Sequence, residues 1–66
     1  MKLDKNKLLI AMAEECLNAY EVSEKAGIKY PTLSKILRGG SCKPATVGKI
    51  AKALNVAVVD LLKERG

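Results

Sequence analysis

The stretch "KAGIKYPTLSKILRGG", Lys25 to Gly40, limits the possible folds more than any other part of the chain. Gly27 stands between two segments with helical patterning, and Pro31 follows four residues later. Glycine adopts the left-handed backbone that ends a helix at little steric cost. Proline fits a helix's first turn, where its missing N–H would have had no intrahelical partner. The expectation is two short helices joined by a tight turn.

The flanking sequence extends this to an all-α fold of five short helices, with helices two and three meeting at Gly27. Asp4 caps a first helix running to about Cys16, whose apolar stripe is Leu8, Met12 and Cys16 with Leu9 and Ala13 beside it. Cys16 reads as a small packing residue and Cys42 as a loop thiol. Asn18 caps a second helix, Ala19 to Ala26, and Glu21 completes a capping-box pattern. Val22, Ser23 and Ala26 form its small inner face. The third helix starts at Tyr30 or Pro31, turns Leu33, Ile36 and Leu37 inward, and stops at Gly39 and Gly40. Pro31, Ser34, Lys35 and Arg38 fall on its outer side, with Tyr30 at the edge. "SCKPA" reads as a loop. Thr46 caps a fourth helix through Leu54, with Val47, Ile50, Ala51 and Leu54 inward, and Asn55 turns the chain. A fifth helix covers Val58 to Glu64 and buries Leu61 or Leu62. The 66 residues are read as one domain, 1–66.

Charge is segregated along this plan. The net charge is +5, and the seven carboxylates all lie outside Lys25–Val59. Inside that window stand Lys25, Lys29, Lys35, Arg38, Lys43, Lys49 and Lys52. An ordinary solvated surface mixes both signs. A block of one sign suits a surface that meets phosphate, and the missing carboxylates avoid repelling it.

Composition removes other classes. With 48% hydrophobic and 29% charged residues the chain is globular in character. It has no apolar run long enough to span a membrane, and a signal peptide would not carry Asp4, Glu14 and Glu15 around its apolar core. The expected location is the cytoplasm. Two cysteines and no histidine leave too few ligands for a structural metal site, and the commonest general base is missing. No enzyme activity, cofactor, metal or small-molecule ligand is expected. The two thiols are expected to be reduced, with a redox switch at Cys42 as the other reading. Two tyrosines without Phe or Trp make a poor stacking platform for RNA or single strands.

"EVSEKAGIKYPTLSKILRGG" followed by "KPATVGKIAKALNVAVVDLL" resembles the Cro/repressor-type (Xre) helix-turn-helix family, over about Leu8 to Leu62. The resemblance implies a lambda-repressor-like domain that binds double-stranded DNA as a dimer and regulates transcription. Lys29 stands where that family usually places a Ser or Thr cap, and Ala19 where it often has Gln. Met12 and Leu37 replace a common buried Arg–Glu pair, a swap that such folds tolerate. Ala57 and Val59 stand where Ser or Asp and a charge are usual.

Carried onto this chain, the resemblance assigns base reading to Tyr30, Pro31, Thr32, Ser34 and Lys35. Lys35 would donate to guanine O6 and N7, and Tyr30 and Pro31 would meet a thymine methyl. Phosphate contacts fall to Lys29, Arg38 and Lys43, with backbone N–H groups near Asn18, Gly40 and Ser41. Lys49 and Lys52 read equally well as solvated surface, and Tyr20 as either a phosphate contact or a cover for the core edge. The dimer patch would be Asn55, Val56, Val58, Val59 and Leu62. The expected partners are duplex DNA and a second copy, the chain acting as a repressor on a palindromic operator. The alternatives are an antitoxin-type protein that autoregulates, or a protein-interaction module without DNA binding. The chain's short C-terminal end speaks against the first alternative, and the absence of acids on the third helix against the second.

Overall fold

The computed structural model describes residues 1–63, and its regular elements are helical, with no strand among them. Its elements are α1 (Lys5–Glu14), α2 (Ala19–Ala26), α3 (Tyr30–Leu37), α4 (Pro44–Ala53) and a closing 3₁₀ turn, Val58–Leu61. α2 packs against both α3 and α4, while α1 and α4 both meet the closing turn.

One core joins these elements. Leu8, Val22, Leu33, Val47, Ile50, Leu54 and Leu61 are fully buried, with Leu3, Ala11, Met12, Ile36 and Ala51 around them. Each such aliphatic side chain stabilises the fold by roughly 1.5–3 kcal/mol relative to exposure. Ser23 is the buried polar residue, and its hydroxyl donates to the Tyr20 carbonyl at 2.7 Å. The expected inner faces of α2, α3 and α4 are therefore the observed ones. Leu37, Ala26 and Ile28 cover the core half-buried.

The ends of the chain differ from expectation. α1 stops at Glu14, and Cys16 is exposed with a left-handed φ of 56° rather than packed. Leu9 and Ala13 face solvent and Ala11 takes the inner place, because each residue step turns about 100° round the helix. α4 begins at Pro44 with Lys43 as its cap residue, not at Thr46. The fixed φ of proline suits the first helical position.

The fifth helix is a single 3₁₀ turn. The Ala57 N–H binds the Asp60 carboxylate at 3.3 Å, and the chain becomes extended at Leu62. Leu61 is buried and Leu62 half-buried. Glu64, the expected end of that helix, lies outside the described residues. No sequence pattern signalled the last feature. Residues 1–3 run extended between two distant segments, Lys2 bridging Ser41 and Leu3 bridging Leu62.

Candidate nucleic-acid interface

The site is built on α2, the turn and α3. At the start of α2 the Asn18 carboxamide accepts the Glu21 N–H at 2.9 Å, and the Glu21 carboxylate accepts the Asn18 N–H at 3.0 Å. At its end Gly27 has φ 71°, and the Ile28 N–H reaches the Ser23 carbonyl at 3.0 Å. This fixes the angle at which α3 departs. Lys29 is the cap residue of α3 and its side chain makes no cap bond. Pro31 lacks an N–H, and the Thr32 N–H bonds the Lys29 carbonyl at 3.0 Å. The Lys29 carbonyl thus takes the Thr32 and Leu33 N–H groups, and no side chain caps the helix.

α3 turns Leu33 and Ile36 into the core, so Pro31, Thr32, Lys35 and Arg38 are exposed and Tyr30 and Ser34 partly so. The five base-reading candidates share this open face. Tyr30 is not a free ring: it stacks on Tyr20 with centroids 4.0 Å apart and planes 9° from parallel. Tyr20 therefore orients Tyr30 by clamping the first turn of α2 to that of α3. No local sequence pattern signals this stack, although Tyr20 and Tyr30 both lie in the first turn of a motif helix.

Gly39 and Gly40 close α3 tightly. Gly39 has φ 97°, and a Cβ on Gly40 would lie 2.9 Å from the Lys35 carbonyl oxygen. The chain then folds back, opening a cleft of about 350 Å³ between α3 and the start of α4. Thr32, Lys35, Ser41, Cys42, Lys43 and Thr46 line it, so base-reading and phosphate candidates meet there. The N-terminal ammonium donates to the Cys42 carbonyl at 2.9 Å beside it. Burial pushes the Cys42 thiol above its ordinary pKa of 9.0, partly offset by that ammonium. None of Lys29, Lys35, Arg38 or Lys43 has an acidic partner among the described residues.

Other candidates sit apart. Asn18 spends its N–H and its carboxamide oxygen on the capping box, leaving its amide NH₂ and the N–H groups of Ala19 and Tyr20 for phosphate. Lys25, Lys49 and Lys52 gather on a separate groove between α2 and α4. Of the dimer candidates, Val56, Val58 and Leu62 pack half-buried against the chain's own core. Asn55 donates to Glu15 at 2.7 Å, and Val59 is 68% exposed.

A helical pair joined at a left-handed glycine, with a cation-rich open second helix, defines a helix-turn-helix DNA-binding domain. The chain belongs to the Cro/C1-type helix-turn-helix DNA-binding domain family, whose model matches residues 7–63. A comparison with curated proteins finds no match. Among solved structures, the chain is similar to part of PhpD bound to cadmium and hydroethylphosphonate. The TM-score is 0.85 at 26% identity, over 100% of this chain and 14% of that one. A mutant of hydroxyethylphosphonate dioxygenase matches at TM-score 0.86 and 26% identity, with the same coverage. A further variant of 2-hydroxyethylphosphonate dioxygenase matches at 0.84 and 25%, over 96% of this chain and 15% of that one. The chain thus spans only about a seventh of the enzymes it is similar to.

Proposed function

We propose that the chain is a transcriptional repressor that binds a palindromic operator as a homodimer, with α3 in the major groove. The observation that carries this reading is the open outer face of α3. It bears Lys35 and Arg38, is flanked by Lys29 and Lys43, and faces no carboxylate from Lys25 to Val59. Lys35 reads a guanine, Thr32 and Ser34 bond neighbouring base edges, and the stacked Tyr30 with Pro31 packs on a thymine methyl. Lys29, Arg38 and Lys43 hold phosphates together with the Gly40 and Ser41 backbone and the amide of Asn18. The role is binding alone, without catalysis.

Selection of sites from random duplex DNA tests this. The expected product is a palindrome with half-sites about 34 Å apart. Lys35→Ala should weaken specific binding by about 1–3 kcal/mol and relax the preference at one base pair. An unchanged consensus removes Lys35 from base reading, and failure to enrich any duplex overturns the whole reading.

A second reading, a protein-interaction module, has support of its own. The same fold forms a small part of the dioxygenase chains. In that case another protein surface covers α3, and selection returns no preferred duplex.

A further inference from the structure

Tyr20 and Tyr30 are the chain's two aromatic residues, and the fold sets one ring against the other. The pair bridges two helices, Tyr20 from the first turn of α2 and Tyr30 from the first residue of α3. Tyr20 is 62% exposed and Tyr30 partly so, which places the stack at the surface rather than in the core. The support beneath it is firm, because the Tyr20 carbonyl accepts the buried Ser23 hydroxyl at 2.7 Å.

The stack is the one directed contact of the Tyr30 side chain among the described residues. Neither phenol hydroxyl has a hydrogen-bond partner there. An unheld tyrosine at a helix start divides itself among the staggered rotamers about its Cα–Cβ bond. Ordering such a side chain on binding costs affinity, and a ring already held in place escapes that cost. A contact that selects one base needs its side chain fixed by a neighbour. Tyr20 supplies that neighbour from the other helix. It covers one face of the Tyr30 ring, which leaves the opposite face and the edge to meet DNA.

We propose that Tyr20 sets the base preference at the position that Tyr30 meets, acting through the Tyr30 ring rather than on the base. This deepens the reading of α3 as the base-reading helix and rests on it. The Tyr20 ring carries the effect and its hydroxyl is dispensable, because stacking uses the ring face. Ser34 and Lys35 lie a turn further along α3 and keep their own preferences.

Selection of sites from random duplex DNA, with the full chain and its variants, tests the proposal. Tyr30→Ala marks the base pair that the ring meets. Tyr20→Ala should lower the preference at that same base pair about two- to tenfold, and leave unchanged the base pair marked by Lys35→Ala. Tyr20→Leu, apolar but unable to stack, should do likewise, and Tyr20→Phe should keep the wild-type preference. In a Tyr30→Ala background, Tyr20→Ala should change nothing further at that base pair. Circular dichroism separates folding from positioning. The far-ultraviolet spectrum of Tyr20→Ala should match that of the wild type, because the ring is exposed, while the near-ultraviolet band of the stacked tyrosines weakens. A consensus unmoved by Tyr30→Ala or by Tyr20→Ala overturns the inference and leaves the DNA-binding reading standing. So does an equal loss on every duplex with Tyr20→Ala and Tyr20→Phe, which would make the Tyr20 hydroxyl a phosphate contact. A wild-type chain that enriches no duplex overturns both.

Discussion

Lys29 occupies the one position in α3 where Ser, Thr, Asn or Asp would add a hydrogen bond to the helix. Its ammonium stands beside the positive end of the same helix, so the residue is poor for stability twice over. The proposed phosphate contact would give it a purpose. Lys29→Ser should therefore raise the unfolding free energy by about 0.5–1 kcal/mol in chemical denaturation. It should also lower the slope of log K against log salt by about one unit. A gain in stability with an unchanged slope would remove Lys29 from the phosphate set. Cys42 is the opposite case, a residue whose chemistry is held back. The thiolate is the reactive form, and burial raises the thiol's pKa above 9.0. Cys42 thus stays protonated at neutral pH and loses its proton only as pH climbs past 9.0. Alkylation near neutral pH, read by peptide mass spectrometry, should modify exposed Cys16 first. If Cys42 reacts first there, the redox-switch reading of that thiol returns.

At the scale of the element, all four helices end in one way. Each has a left-handed residue at its cap or just after it, Cys16, Gly27, Gly39 or Asn55. The N–H that follows it reaches back to a carbonyl in the helix's last turn. Leu17 bonds Met12, Ile28 bonds Ser23, Gly40 bonds Lys35 and Val56 bonds Ala51, each at 3.0 Å. Three of these ends were legible, because Gly and Asn advertise left-handed backbone. Cys16 does not, so α1 was read past its true end. A left-handed non-glycine residue costs roughly 1–2 kcal/mol, and glycine gives back about 0.5–1 of that through its freer unfolded state. Cys16→Gly should therefore stabilise the chain by up to about 1 kcal/mol, visible as a higher melting temperature. A lower one would mean that the Cys16 side chain makes a contact worth more than the strain. The inner faces of α2, α3 and α4 could be read because polar residues interrupt their apolar stripes. In α1, Leu8 to Ala13 runs without a polar residue, and any side could have been the core. The outer face of α3 followed from its inner one. The Tyr20–Tyr30 stack did not, since it depends on the angle between two helices, which no local pattern records.

At the scale of the whole molecule, the feature that sequence could not show is the extended N-terminal segment, because its bridge partners lie 39 and 59 positions away in Ser41 and Leu62. This segment ties the turn after α3 to the closing turn. The Cys42 N–H donates to the Met1 carbonyl at 2.8 Å, and the Asp4 N–H to the Leu61 carbonyl at 2.8 Å. A single copy measures 31 Å along its longest axis and presents one α3. The proposed palindrome, with half-sites about 34 Å apart, would therefore need two copies, each holding its Gly40–Lys43 loop toward the phosphates. Leu3, 7% exposed, anchors the extended segment that bonds to this loop. Leu3→Ala should cost about 2–3 kcal/mol, a large share of the 5–15 kcal/mol typical of a whole domain. Its effect should be uneven. Amide hydrogen exchange should speed at Cys42 well before it speeds at Val47, whose N–H lies within α4. Operator affinity should fall at temperatures where the variant is still folded. If Cys42 and Val47 lose protection together, Leu3 acts through the common core, and the extended N-terminal segment has no separate hold on the Gly40–Lys43 loop.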